Sequence, residues 1–387
     1  MAQLLNNTHK SKDQILFWRG MQSVEERVIL LVDLDYFYAQ CEENRSPQIK
    51  GKPVVIGVYS GRTEESGAVS TANYLARKHG VKAGMPIFLA KKRLEGKEAV
   101  FLPVDHEYYD EVSNSVMKIL RGYADNFEQV SIDEAYLDIS NRVQSDFERA
   151  AKLAETIKRN IKDHQGLTCS IGVGPNKLVA KIAADIKKPD GLTTIKPGQV
   201  KEFLTPLLVD QLLGVGKKTK EKMEAMGIKT IGDLAEYNID NLIEEFGKKM
   251  GSYFHSAALG IDDTPVKERG EPESLSKIFT LKEDTRDLSI IETYTNTLSE
   301  RVNKMATDRR VTFRTVGIIA VLTDMSVHSR SKTLSSPTND LSILKSTVYE
   351  LLSKLLGELD LDLRRIGVKI SNFVVDTIDQ EQMTSYF

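Results

Sequence analysis

A chain of 387 residues has room for two to four domains at ~100–200 residues each. Its 41% hydrophobic content is enough for packed cores, while a formal net charge of −2 excludes a uniformly basic coat for nucleic acid; DNA binding would need locally segregated cations balanced by a carboxylate-rich site. Cys41 and Cys169 are the only cysteines, which excludes a disulfide framework or a cysteine-based zinc site and suits a reducing, cytoplasmic setting. No apolar run approaches the ~20 residues of a membrane span, and residues 1–27 lack the pattern of a signal peptide, so no membrane partner is expected.

In chain order, Val28–Val32 is a continuous apolar run that predicts a buried strand ending at Asp33, and Val54–Val58 predicts a second strand. Residues 70–79 and 85–94 read as helices parted by Gly80 and Gly84, and 107–122 as a third helix. Val130–Ile139 predicts a tight hairpin. A helix over 145–163, a strand over 168–173 and a helix over 177–187, stopped by Pro189 and Gly191, follow. From 196 to 262 the pattern is of short helices with frequent glycine. Residues 263–274 have a linker's composition. Beyond them, strands near 276–282, 312–324 and 365–374 and helices near 288–307 and 339–358 form an α+β module. Its order is strand-helix-strand-strand-helix-strand if 328–334 is also a strand.

Asp33 stands where a buried strand ends, and Asp133 and Glu134 stand inside the hairpin segment. A bend at 133–134 would swing both carboxylates toward Asp33 if the strands pair. Two like charges ~4 Å apart at an effective dielectric of ~20 repel by roughly 4 kcal/mol, so such a cluster calls for cations. Mg2+, which prefers hard oxygens, is the natural one.

The runs Val32–Glu42, Ser66–Lys78, Ser131–Asp138 and Gly172–Gly191 together resemble, in the right order, the motifs of the Y family of DNA polymerases, most closely its archaeal DinB branch. The resemblance covers roughly 28–374. It implies a multidomain α+β right hand: a ferredoxin-like palm (28–36 and 104–195), small fingers (37–103), a helical thumb (196–262), a linker (263–274) and an α+β little finger (275–374). A tail (375–387) closes the chain, and the resemblance leaves residues 1–27 unexplained. It further implies low-fidelity, template-directed DNA synthesis that bypasses lesions. The metal ligands it implies are Asp33, Asp133 and Glu134, helped by the backbone carbonyl of Leu34, holding two Mg2+ ions for which Mn2+ can substitute. Asp35 is in the motif without being implied as a ligand; a strand-end hydrogen bond suits it better.

Tyr74 and Arg77, three apart on a presumed helix, share a face and can donate to triphosphate oxygens, with Lys188 adding a charge. The resemblance gives these three that role, with Thr71 and Lys181 as weaker candidates, Lys181 facing DNA or solvent. It makes Tyr38 the steric gate against ribonucleotides, and the small residues Val58, Ala68 and Ser70 a loose cover for the nascent base pair. Leu212–Ile228 resembles a helix-hairpin-helix in which Gly214 and Gly216 admit a phosphate to backbone N–H groups, with Lys217, Lys218 and Lys220 adding charge. In the last module Arg309, Arg310, Arg314, Arg330 and Lys332, with Arg364, Arg365 and Lys369, suggest a basic face for DNA phosphates. Gln380, Met383, Tyr386 and Phe387 resemble a sliding-clamp-binding peptide. The expected partners are primer-template DNA, deoxynucleoside triphosphates and the clamp, with the chain itself a monomer. A nucleotidyl cyclase would share the paired carboxylates, and a decayed DNA-binding scaffold the basic module, but neither has a use for the whole set.

Overall fold

The computed structural model describes residues 27–268 and 270–375. They divide into two compact units, one of residues 27–56, 71–80 and 97–268 and one of 57–70, 81–96 and 270–375.

The first unit is built on a five-stranded sheet of order β5-β6-β1-β7-β8. Its strands are β1 (Ile29–Leu34), β5 (Asn126–Gln129), β6 (Glu134–Asp138), β7 (Cys169–Gly174) and β8 (Leu192–Thr194). All neighbours are antiparallel except β7 and β8. The apolar run of β1 is continuous because helices cover both faces of the sheet. Leu30 and Val32 pack into a core with Tyr109, Val116, Ile157 and Ile161, from the helices His106–Arg121 and Phe147–Gln165. Ile29 and Leu31 pack on the other side against Ala180 and Ala184 of the helix Lys177–Ile186. That last helix lies flush on β7: a Cβ added at Gly172 would strike the backbone of Ala180 and Ala184. Alternation along β1 therefore points Asp33, with Ile29 and Leu31, toward the helix that carries Lys181.

A three-stranded sheet of order β3-β2-β4 joins β2 (Val54–Tyr59), β3 (Gly67–Ala72) and β4 (Val100–Pro103). Here the expected helix over 70–79 is corrected. Residues 70–72 close β3, and the helix starts only at Tyr74, where the Asn73 side chain accepts from the Ala76 N–H at 3.0 Å. The hairpin is also longer than expected, since β5 and β6 flank a connection at 130–133. Short helices follow from Val200 to Ala258, and among the described residues no helix is long and apolar enough to cross a membrane. Arg27 holds the chain beyond them, donating to the carbonyls of Asp262 at 2.7 Å and Thr264 at 3.1 Å. Val266 is buried against β1.

The second unit contains a four-stranded antiparallel sheet of order β11-β10-β12-β9, made of β9 (Ser274–Thr285), β10 (Val311–Leu322), β11 (Val327–Thr338) and β12 (Leu363–Val375). Helices Leu288–Asp308 and Leu341–Glu358 pack on one face, over Val316, Ile318, Ile366, Val368 and Ile370. The strand at 328–334 exists, so the module has the full strand-helix-strand-strand-helix-strand order. In the same unit Arg62 donates to the Leu281 carbonyl at 2.6 Å and pairs with Asp284.

Candidate active site

Register brings the carboxylates together. Asp33 of β1 pairs directly with Glu134 of β6, so the two side chains leave the same face of the sheet. Asp133 precedes β6 in the connecting turn, where its carbonyl accepts from the Leu34 N–H at 2.9 Å and its carboxylate from the Ser131 hydroxyl at 2.6 Å. The bend anticipated at 133–134 is thus the point where turn becomes strand.

Two ammonium groups face this set. Lys188 Nζ lies 2.6 Å from Asp33 Oδ2, and Lys181 Nζ lies 3.2 Å from the same oxygen and 2.6 Å from Glu134 Oε1. Burial pushes Glu134 up to about 7, helped by its hydrogen bond with Asp33. Burial also raises Asp133, with the charge of Asp33 adding to it. Asp33 sits below the usual carboxylate range although burial opposes this, because its bond to Glu134 and the two lysines favour its charge. Both lysines are raised in turn: burial works against their charge, and Asp33 outweighs it. Among the described residues no three His, Cys, Asp or Glu side chains are gathered tightly enough to hold a metal ion as they stand. The donor set nonetheless suits a hard divalent cation, and the lysines already stand in for positive charge at two of the three carboxylates.

Asp35, buried beside them, takes no part in that cluster. It accepts from the Ser170 hydroxyl at 2.7 Å, the Thr168 hydroxyl at 2.9 Å and the Asp190 N–H at 2.8 Å. It thereby ties the loop after Lys188 to the end of β1, the strand-end bond its position suggests. Tyr74 meets Tyr36 edge-on at 5.4 Å and lies under the Arg77 guanidinium at 4.8 Å, so the shared face expected from their spacing is present. Arg77 Nε is fixed on the Ala72 carbonyl at 2.8 Å, and Thr71 sits in β3.

Tyr38 stacks on the buried Tyr109 with ring centroids 4.3 Å apart and planes 18° apart. Tyr109 in turn donates to Glu42 at 2.8 Å, and Glu42 is paired with Arg45 at 2.6 Å. Burial raises the Tyr38 phenol, and the charges of Asp133 and Asp110 add to it. Tyr109 does not stand out in sequence, and Glu42 closes the first motif run without a role of its own assigned there. Lys181, expected to face DNA or solvent, faces Asp33 and Glu134 instead. The i, i+4 spacing of Lys181 and Asp185 was the available sign of a shared helix face.

At the thumb, Gly214 has φ +88°, a backbone conformation that favours glycine, and Gly216 caps the helix Lys217–Ala225 without a side-chain bond. The first turn's N–H groups are thus left to another acceptor, beside the largely exposed Lys217 and next to Lys218; Lys220 pairs with Asp210 at 2.7 Å. In the last module Lys332 pairs with Glu350 at 2.6 Å and Arg330 pairs with Glu358, both on the helix Leu341–Glu358. Arg314 binds the carbonyls of Leu334 and Ser335, Arg309 that of Met305, and Arg310 turns the chain into β10 at φ +53°. The sheet face away from the helices carries Ser329, Ser331, Thr333, Thr315, Ser371 and Lys369 around Gly317 and Gly367, by register with one another. Gln380, Met383, Tyr386 and Phe387 lie outside the described residues.

Comparison with known proteins agrees with this architecture. Residues 32–185 match the impB/mucB/samB family, 272–385 its C-terminal domain, and 210–262 the thumb domain of DNA polymerase iota. The chain therefore belongs to the Y family of DNA polymerases, whose fold of palm, fingers, thumb and little finger it shares. DNA polymerase IV of Nitrosopumilus maritimus is 46% identical over 94% of this chain and 100% of that protein. DNA polymerase IV of Methanosarcina acetivorans is 44% identical over 89% of this chain and 95% of that one. A chimeric Y-family DNA polymerase superposes with a TM-score of 0.85 at 36% identity, covering 90% of this chain and 100% of the other. An insertion ternary complex of Dbh DNA polymerase, with the same coverage and identity, gives 0.65. Within the family the chain falls in the archaeal DinB, or polymerase IV, branch: it is an error-prone DNA-directed DNA polymerase of translesion synthesis. Polymerases of this kind work with divalent metal ions.

Proposed function

We propose that Asp33, Asp133 and Glu134, with the Leu34 carbonyl, hold two Mg2+ ions against an incoming deoxynucleoside triphosphate and a primer end. The observation that carries this reading is the Asp33–Glu134 register pair, with Asp133 at the adjacent turn and two lysines supplying the missing positive charge. Bound there, the ions would activate the primer hydroxyl and stabilise the leaving pyrophosphate. The chain's own residues do the rest. Tyr74, Arg77 and Lys188, with Thr71 nearby in sequence, orient the triphosphate, Arg77 through its fork of donors. Tyr38 lies under the sugar and excludes a 2′-hydroxyl.

Gly214 and Gly216 with Lys217 and Lys218 would take a DNA phosphate at the start of their helix. In the little finger Arg309 and Arg310 remain candidates for phosphates, whereas Arg330 and Lys332 would have to leave Glu358 and Glu350 to reach them. The hydroxyl-lined sheet face offers shorter donors that need no such release. Gln380, Met383, Tyr386 and Phe387 would dock the chain on a sliding clamp.

Primer extension with Mg2+ tests the centre of this reading. Asp133→Ala/Glu134→Ala should lower the rate by about a thousandfold or more, the scale lost with preorganised charge stabilisation. An unimpaired double variant would remove these carboxylates from the chemistry.

A further inference from the structure

The helix Lys177–Ile186 holds an ion-pair arrangement that nucleotide binding by Lys188 does not use. Lys181 Nζ bridges a half-buried and a buried carboxylate on neighbouring strands, 2.6 Å from Glu134 and 3.2 Å from Asp33. One turn further on, the half-exposed Asp185 waits 3.6 Å from the same nitrogen and 2.7 Å from Lys188 Nζ. An oxygen that accepts from an ammonium along one lone pair cannot offer that lone pair to Mg2+ at the ~2.0–2.1 Å this ion demands. Entry of the ion at Glu134 Oε1 or Asp33 Oδ2, the oxygens that face each other across the paired strands, therefore requires Lys181 to turn away. Asp185, at i+4 on the same face, is the carboxylate within reach of a rotating lysine side chain.

We propose that Lys181 is a resident counter-ion of the empty carboxylate pair, that Asp185 receives its ammonium when a divalent cation arrives, and that the two residues together set how tightly the site takes that cation. Lys181 lowers cation affinity twice, by occupying Glu134 and Asp33 beforehand and by repelling the ion afterwards. Asp185 raises affinity by giving the displaced ammonium a partner. The two residues should act with opposite sign although they are themselves an ion pair, which a merely structural pair would not do. The inference rests on reading Asp33, Asp133 and Glu134 as metal ligands.

The test is direct binding of Mn2+ to the full chain without DNA or nucleotide, followed by the loss of the free-ion electron paramagnetic resonance signal. Lys181→Met, similar in length and uncharged, should tighten binding about tenfold, and Asp185→Asn should weaken it several-fold, since removing or stranding one charge beside a half-buried cation has about that effect. In the double variant the share of the Asp185→Asn effect carried by Lys181 should vanish, leaving only what Asp185 does through Lys188. Lys181→Gln repeats the measurement should the methionine variant fold poorly, with thermal melting as the check. If the wild type shows no Mn2+ site that Asp33→Asn removes, the metal reading itself fails. If that site exists and neutral Lys181 leaves it unchanged or weaker, or if the Asp185 effect persists in full in the double variant, the counter-ion proposal is overturned alone.

Discussion

The ring of Tyr38 lies on that of Tyr109, which is fully buried and anchored at its far end by Glu42. The steric gate proposed for Tyr38 would be only as firm as the surface under it, because a ring that retreats would cease to exclude a 2′-hydroxyl. Tyr38→Ala should admit ribonucleotides outright. Tyr109→Leu should relax the choice of sugar by about tenfold, the worth of an aromatic stack beyond its buried area, while Tyr109→Phe keeps the stack and most of the selectivity. All three are read as the ratio of kcat/KM for deoxy- and ribonucleotide; an unchanged ratio in Tyr38→Ala would take the gate away from this residue. The residues legible in sequence were those whose place is announced by local pattern: Asp33 at the end of an apolar run, Asp133 and Glu134 inside a strand-turn-strand segment. Lys181, Tyr109 and Glu42 were not legible in those terms. Tyr109 meets Tyr38 and Glu42, and Lys181 meets Asp33 and Glu134, across long stretches of chain, and only the fold supplies those partners.

Elements carry their own instructions at their ends. Asp287 and Asp340 precede the two little-finger helices, and each accepts from two backbone N–H groups and a serine hydroxyl of the first turn. The bond to Ser289 or Ser342 and the backbone donors hold both carboxyls below their ordinary value. A depressed carboxyl contributes stability that is present above its unfolded value and lost as pH falls through the folded one. Asp287→Ala and Asp340→Ala should therefore lower the melting temperature at neutral pH, and the gap to wild type should narrow as pH drops below about 4. A gap independent of pH would mean the caps act by shape alone. Such caps can be read in sequence, as can long amphipathic helices. The segment 70–79 shows where this stops: Ser70-Thr71-Ala72 is compatible with a helix, yet pairing beside β2 draws it into β3 and Asn73 starts the helix late.

At the scale of the molecule, a net charge near zero conceals local bookkeeping between opposite charges. The little finger's cations are in part neutralised by its own helices, through Glu350 and Glu358, which composition cannot reveal. A surface whose cations are partly self-neutralised would hold DNA weakly, and the clamp docking proposed for 380–387 would offset that. Deleting 380–387 should abolish clamp-stimulated synthesis on primed circular DNA while leaving unassisted synthesis intact; equal loss of both would show that the tail serves folding or catalysis instead. The strand-helix-strand-strand-helix-strand module beyond 274 was legible because its hydrophobic pattern is local. Arg27 was not, since an arginine in a polar lead segment gives no hint that it fastens the chain at 262–264 to the palm.

Gly172 leaves the helix of Lys181 and Asp185 in backbone contact with β7, with no side chain between them to yield. Contact this close leaves the helix no room to move nearer to β7 should a cation bind at the carboxylates. Whatever exchange occurs at the carboxylates is then left to side-chain torsions, which relax in picoseconds to nanoseconds, far faster than domain motions in microseconds to milliseconds. Charge exchange at this site would add no slow step to each round of synthesis, leaving the pace of the enzyme to its chemistry and to the movement of DNA.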